Sequence, residues 1–346
     1  MDLNGLSYDS LKTVLKHMNA NSRFYITRRL PSIRLAEKAT PLHIQRLLFT
    51  ENSISVDGMV YTAKLFETLP SEASKEVHES IDEHGYIVDP NSVLYPGDVR
   101  MEHWKTSEAM QSRPQRDVQN LRLQLHVCPT DTIYEIPFTS KKYEVIKMLS
   151  DMFFGNRQVA WKVYLLIPPA GILRWPLEGI KPNVHMISIE RPFLMDALPL
   201  IVNPSTLPMD MIRWYSLPSF EDLNHPTVTA AKELIFGEVY SREHLLQIRH
   251  PKVSVMRGVP AADLSAWVDQ WMEERRPIGV HYSIRYVREP REQLEVISSR
   301  PEVFKKSEKC VKLAMGTTTT LVISYVEVRA RNTVWYLDMK VCQRDA

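Results

Sequence analysis

Between Trp161 and Val287 the chain sets down one apolar, strand-like run after another, and the stretches between them are broken by proline or patterned as short helices. The runs are VYLLI, VHMISI, DMIRWYS, ELIFGEV, VSVMRG and VHYSIRYV. Their centres, Leu165, Ile187, Ile212, Ile235, Val255 and Ile284, follow one another at steps of 22, 25, 23, 20 and 29 residues. Apolar runs this short, rich in β-branched and aromatic residues, read as strands. Their even recurrence is what a solenoid of one strand plus one return segment per unit requires, as in leucine-rich repeats. An array of that kind is a surface for holding another macromolecule, so the expectation leans to recognition over catalysis.

Glycine usage points the same way. Folds that cradle phosphate need clustered glycines where backbone approaches the ligand. This chain has 11 glycines, no GxGxxG and no GxxxxGK[ST]. Its 23 prolines gather between the strand runs, which suits return segments that seldom become long helices. The apolar fraction of 44% and charged fraction of 24% are those of an ordinary globular chain. A net charge of +2 supplies no long-range field for nucleic acid or a membrane surface. Three distant cysteines, Cys128, Cys310 and Cys342, make no disulfide framework, so a reducing compartment, cytoplasmic or nuclear, is expected. The opening MDLNGLSYDSLK has no basic stretch followed by an apolar one, so no secretory signal is expected there. Nor is any run long enough to span a bilayer.

Along the chain, Leu11, Val14, Leu15 and Met18 follow helical spacing, with Ser7 placed to cap the start and Asp9 in the first turn. A second helix is expected over 22–30, ending before Pro31. LLF and ISV-DG-MVY form a hairpin with Asp57-Gly58 at a type I′ turn. Residues 70–120 are polar and irregular; a strand is expected at 98–104 and an exposed loop at 111–120. Residues 121–127 alternate Leu121, Leu123, Leu125 and Val127 as a half-buried strand does. Val145, Ile146, Leu149, Met152 and Phe153 share a helix face closed by Gly155. The strongest helical stripe is Leu264, Trp267, Val268, Trp271 and Met272, beginning at Pro260 and ended by Pro277 and Gly279. Past residue 290, CVKLAMG, TLVISYVEVRA and TVWYLDMKV are extended, the last two forming an antiparallel pair.

Few residues carry a chemical signal. Asp82-Glu83-His84 sets two acids beside a histidine, but adjacent residues do not face one another, and a solvated loop is the expectation. His185 and His281 sit in strand runs and read as hydrogen-bonded margin residues, and Cys128 reads as a buried thiol. Arg23, Arg28, Arg29 and Arg34, near Phe24 and Tyr25, form a small basic stretch; intramolecular acid partners or a solvated face are expected ahead of RNA contact. The Trp267 and Trp271 stripe reads as core. Neither metal-ligand spacings nor GxSxG occur, so no catalytic, cofactor-binding or metal residues are assigned.

The stretch LSYDSLKTVLKHMNANSRFYITRRLPSIRLAEKATPLHIQRLLF, followed by ISVDGMVY and YPGDV, resembles the nematode F-box C-related family. HPTVTAAKELIF and LLQIRHPKVSVMRGVPAADLSAWVDQWMEERRPIG resemble the F-box-associated half of nematode F-box proteins. The resemblance implies an adaptor. An F-box holds the small linker subunit of a cullin-RING ubiquitin ligase, and the downstream domain captures the substrate protein. On this chain Leu6 falls at the opening leucine of that motif, and Leu11, Val14, Leu15 and Met18 at its first-helix apolar positions, as anchors that would enter a groove. Ser7 stands where an F-box usually has proline, and ITRRLPSI replaces its Val-Cys-Arg-x-Trp-like ending. The other reading of this helix is that it packs on the chain's own sheet.

The expected fold is therefore α/β: a short helical and β-hairpin N-terminal part, then an irregular leucine-rich-repeat-like αβ array with an antiparallel C-terminal cap. The expected domains are a degenerate F-box-like helical segment at 1–45, a hairpin and loop-rich connection at 46–120, and the F-box-associated domain at 121–346. The expected function is a non-catalytic protein-binding adaptor, a ubiquitin-ligase substrate receptor or an interaction protein of the same fold without the linker contact. Its partners are proteins, with no cofactor, nucleic acid or membrane, and the strand face of 161–287 presents the surface.

Overall fold

The computed structural model describes residues 7–68, 74–102, 116–190, 194–237, 241–329 and 333–344. The chain forms two compact units, Met1–Ser188 with Pro192–Leu207, and Ile189–Arg191 with Pro208–Ala346. It is mixed α/β, with strands both parallel and antiparallel in each unit.

The first unit opens with three helices, α1 (Tyr8–His17), α2 (Ala20–Arg29) and α3 (Arg34–Lys38). Ser7 caps α1 by accepting from the Ser10 amide, and Asn19 caps α2 from Ser22, each satisfying an amide that the first turn leaves free. Strands β1 (His43–Phe49), β2 (Ser53–Val56) and β3 (Met59–Thr68) follow. The β2–β3 turn is the expected one: Asp57 and Gly58 have φ of 48° and 86°. Next come β4 (Ser74–Val77), the short β5 (Ser80–Ile81), β6 (Ile87–Val88) and β7 (Val99–Arg100), then β8 (Leu121–Cys128) and β9 (Thr132–Ile136). The strand expected at 98–104 is thus only two residues long; 103–104 lie outside the described residues, as do 111–115 of the expected loop. Helix α4 (Lys142–Phe154), β10 (Lys162–Ile167), β11 (Ile172–Leu173), β12 (Asn183–Ile189) and α5 (Leu198–Ile201) complete the unit.

Its sheet runs β12-β10-β1-β2-β3-β8-β9, with β4 also on β3. β12, β10 and β1 are parallel, and the rest antiparallel. α4 puts Phe153 and Phe154 into the core, where Phe153 stacks on Phe24 at 4.3 Å and Phe154 on Trp161 at 5.2 Å.

The second unit contains β13 (Met211–Trp214), α6 (Phe220–Asn224), α7 (Pro226–Thr229), β14 (Glu233–Phe236), α8 (Arg242–Gln247), β15 (Lys252–Val255), α9 (Ala261–Glu274) and β16 (His281–Tyr286). After these come α10 (Arg291–Ser298), β17 (Val303–Ser307), β18 (Cys310–Ala314), β19 (Thr319–Arg329) and β20 (Thr333–Gln343). β13, β14, β15 and β16 are parallel neighbours in chain order, each joined to the next through helix. β20, β19, β18 and β17 extend the sheet antiparallel from β16. The ArgAsn turn expected between the last two strands lies outside the described residues, but their pairing is as expected.

The tryptophan stripe of α9 is core. Trp267 and Trp271 are fully buried and meet Tyr282 of β16 edge-on, at 5.1 and 4.7 Å. The Tyr282 hydroxyl donates to the carbonyls of Ile248 and His250, so its polar end is satisfied inside the core. α8 lies against α9 and α9 against α10, a helical layer on one side of the strands.

Candidate functional site

The strands of the second unit divide their side chains cleanly. Ile212, Trp214, Leu234, Phe236, Val253, Val255, Tyr282, Ile284 and Tyr286 are buried. The residues between them point the opposite way, since successive side chains of a strand leave by opposite faces. On β13–β16 the side chains of that other face are half-buried or exposed, except Glu233, which is buried. One row across it, in register, is Arg213, Ile235, Ser254, Ser283, Asp338, Ser324 and Cys310. The next is Met211, Glu233, Lys252, His281, Lys340, Val322 and Lys312.

Most charges on this face are answered by neighbours. Glu233 accepts from Lys252 Nζ at 2.6 Å and from Ser254 Oγ at 2.7 Å. Burial works to raise the Glu233 pKa, but those two hydrogen bonds outweigh it and hold the carboxyl below its usual range. Asp338 stands 3.2 Å from His281 Nε2 and 3.4 Å from Lys340 Nζ. The described side chains of this face are predominantly polar. In the first unit the same outward parity puts Lys162 and Tyr164 on β10 and His185 on β12, with the His185 ring stacked on Tyr164 at 4.7 Å.

The N-terminal residues singled out from sequence divide among three environments. Leu6 lies outside the described residues. Val14 is 48% exposed, Leu11 and Met18 are half-buried, and Leu15 is 1% exposed, inside its own unit. α1 thus turns one apolar position fully inward.

Of the basic stretch beside it, Arg23 turns inward, whereas Arg28, Arg29 and Arg34 are exposed. Arg23 is buried and pairs with Glu37 at 2.8 Å; Arg157, also buried, reaches the same Glu37 oxygen at 2.8 Å. Burial disfavours the charge on both guanidiniums, and Glu37 favours it. Lys38 donates to the carbonyls of Met152 and Phe153, and burial followed by the Arg157 charge pushes its pKa down to about 7. Arg28 lies over the Tyr134 ring at 3.7 Å.

Asp82-Glu83-His84 is a turn. Asp82 accepts from the amides of His84 and Tyr86, and Glu83 stands 3.5 Å from Lys141. Cys128 is exposed, which corrects the expectation of a buried thiol. It is the last residue of β8, at an outward position of the alternation that buries Leu121, Leu123, Leu125 and Val127. A cavity of about 270 Å³ in the first unit is lined by Trp161, Trp175, Leu177, Lys181 and Asp98. The Asp98 carboxylate is already held by Arg174 and Lys147. Among the described residues no three His, Cys, Asp or Glu side chains gather where they could hold a metal ion, and no helix is long and apolar enough to cross a membrane.

Within the second unit the open face extends past residue 287, the end of the expected surface, onto β20 and β19. Asp338, Tyr336, Ser324 and Val326 belong to strands read from sequence only as a closing cap. The signal was present: in TLVISYVEVRA the alternation that buries Leu321, Ile323 and Tyr325 sends Val322, Ser324 and Val326 outward.

Residues 141–288, from the residue before α4 to just beyond β16, match the family model described as a domain of unknown function, DUF3557. No curated protein and no solved structure matches the chain.

Proposed function

We propose that the chain is a non-catalytic protein-binding adaptor that seats its partner on the open strand face of the second unit. One observation carries this reading. Parallel strands in doubly wound α/β folds are covered on both faces, whereas β13–β16 are covered by helices on one face and solvated on the other. Strands that follow one another in parallel with a helical return, one face bare, are the arrangement of leucine-rich-repeat-like arrays, whose bare strand face holds macromolecules. Small side chains at Ser254 and Ser283 keep the middle of the face flat enough for a partner's backbone to approach.

The test is affinity capture with the full chain, with Ser283→Trp, and with Glu273→Trp, which alters an exposed residue of α9. Proteins retained by the wild type and by the α9 variant but lost with Ser283→Trp support the reading. A set of captured proteins indifferent to Ser283→Trp contradicts it.

The resemblance to F-box proteins adds a second partner, the linker subunit of a cullin-RING ligase, held through Leu6, Leu11, Val14, Leu15 and Met18. The burial of Leu15 favours the adaptor without that contact, because an anchor must be free to enter a groove. Mixing the chain with purified linker subunit separates the two. Retention abolished by Leu11→Glu or Val14→Glu supports the ligase role, and no retention supports the plain adaptor.

A further inference from the structure

We propose that the open face of the second unit selects an extended polypeptide segment in which an acidic side chain stands beside apolar ones. This deepens the protein-binding reading given above and rests on it. The observations lie at one end of the face, where β16, β20 and β19 run side by side. Arg285 pairs in register with Tyr336, and Tyr336 with Val326; the next pair along is Val328 with Val334. Val287, just past the end of β16, is 79% exposed, Val326 49% and Val328 42%. By strand alternation Arg285, Tyr336, Val334, Val326 and Val328 leave the sheet on the side opposite the core residues Ile284, Leu337 and Tyr325. Exposed apolar side chains grouped together and rimmed by polar residues are the kind of surface that marks interaction sites.

Charge identifies the occupant. The two acids of the neighbouring rows are committed, Glu233 to Lys252 and Asp338 to His281 and Lys340. Arg285 has no ion pair among the described residues, and it borders the valines. A partner that covered the patch without an acid would enclose that guanidinium uncompensated, at heavy cost. A second copy of this chain, docked face to face, brings the same arginine, and the described acids of its face, Glu233 and Asp338, are already paired. A segment carrying Asp or Glu next to Leu, Ile or Phe answers both features at once. Arginine suits this role, because its planar fork takes a carboxylate with two hydrogen bonds.

The probe is a random peptide library displayed on phage and selected against the full chain, followed by calorimetric titration of the synthesised consensus. A consensus with an acid adjoining apolar residues is expected. Arg285→Glu should weaken it by at least about tenfold, and replacing its acid by Lys should restore binding to that variant. Val326→Asp should weaken the original consensus comparably. A consensus without an acid, binding unchanged by Arg285→Glu, or a concentration-dependent dimer abolished by Val326→Asp would overturn the proposal. If Ser283→Trp abolishes peptide binding while Arg285→Glu does not, the protein-binding face stands and the acid-plus-apolar selection falls. If none of the three substitutions matters, both fall.

Discussion

Replacing Glu37 by Gln tests how the first unit is held together. Its carboxylate oxygen lies 2.8 Å from Nη2 of both Arg23 and Arg157, and all three side chains are essentially out of solvent, at 2%, 1% and 0% exposure. The Lys38 amine adds a third cationic centre nearby. Glutamine preserves the shape and one acceptor oxygen, but it removes the charge and turns the second acceptor into an NH2 donor. Breaking a buried ion pair by deleting one partner costs about 3–5 kcal/mol, because the remaining charge stays in a medium that solvates it poorly. Here one anion serves two guanidiniums, so Glu37→Gln belongs at the upper end of that range. Against a domain stability of about 5–15 kcal/mol this is a large share. Denaturant unfolding can be followed by tryptophan fluorescence, to which Trp161 contributes from this region, its ring 5.8 Å from the Arg157 guanidinium. Adding Arg157→Met to Glu37→Gln should recover part of the loss, because one uncompensated cation is then removed. A loss below about 1 kcal/mol, the value of a solvated surface pair, would refute the argument.

Three further outcomes follow from the same structure. Lys38, with its pKa pushed down to about 7 in the fold, recovers an ordinary value near 10.4 when unfolded. Between those values the unfolded chain binds a proton that the folded chain does not, so stability should rise with pH from about 7 to 9.5, by at most about 1.4 kcal/mol per unit. Lys38→Met should flatten that rise, and an unchanged slope would contradict it. Trp267→Ala should cost about 3–5 kcal/mol as a truncation of a fully buried aromatic, and an unchanged melting curve would mean that α9 does not pack on Tyr282. Gly97 has φ +89°, and an added Cβ would meet the Leu177 amide nitrogen at 2.5 Å and the Trp175 carbonyl oxygen at 2.6 Å. Gly97→Ala should therefore lower stability by about 1–3 kcal/mol, and a melting temperature equal to wild type would contradict it.

Periodicity carried most of what the sequence reveals. All six apolar runs between Trp161 and Val287 are strands, the Asp57-Gly58 turn has the expected dihedrals, and the α9 stripe is buried. These features are local, set by neighbours a few residues apart. What stayed hidden depends on partners far along the chain. Arg23 read as a basic surface residue or an internal partner, and only the fold brings it to Glu37 together with Arg157. The division of α1 into an exposed Val14 and a buried Leu15 depends on how its own unit packs around it, which spacing alone does not fix. Cys128 was legible and misread: carrying the β8 alternation one residue further sends its thiol outward. The face itself is half legible: the alternation in β19 and β20 marks them as strands, but only their pairing with β16 shows that their outward side chains join this face. The leucine-rich-repeat-like reading and the adaptor role remain proposals built on that face.

The most direct measurement puts a photo-crosslinking amino acid at Ser283, in the middle of the open face, and a second at Glu273 on α9, each in the full chain expressed in cells. The account predicts discrete polypeptide adducts from the Ser283 position and none above background from α9. Adducts equally abundant at both positions, or absent from Ser283, would contradict it.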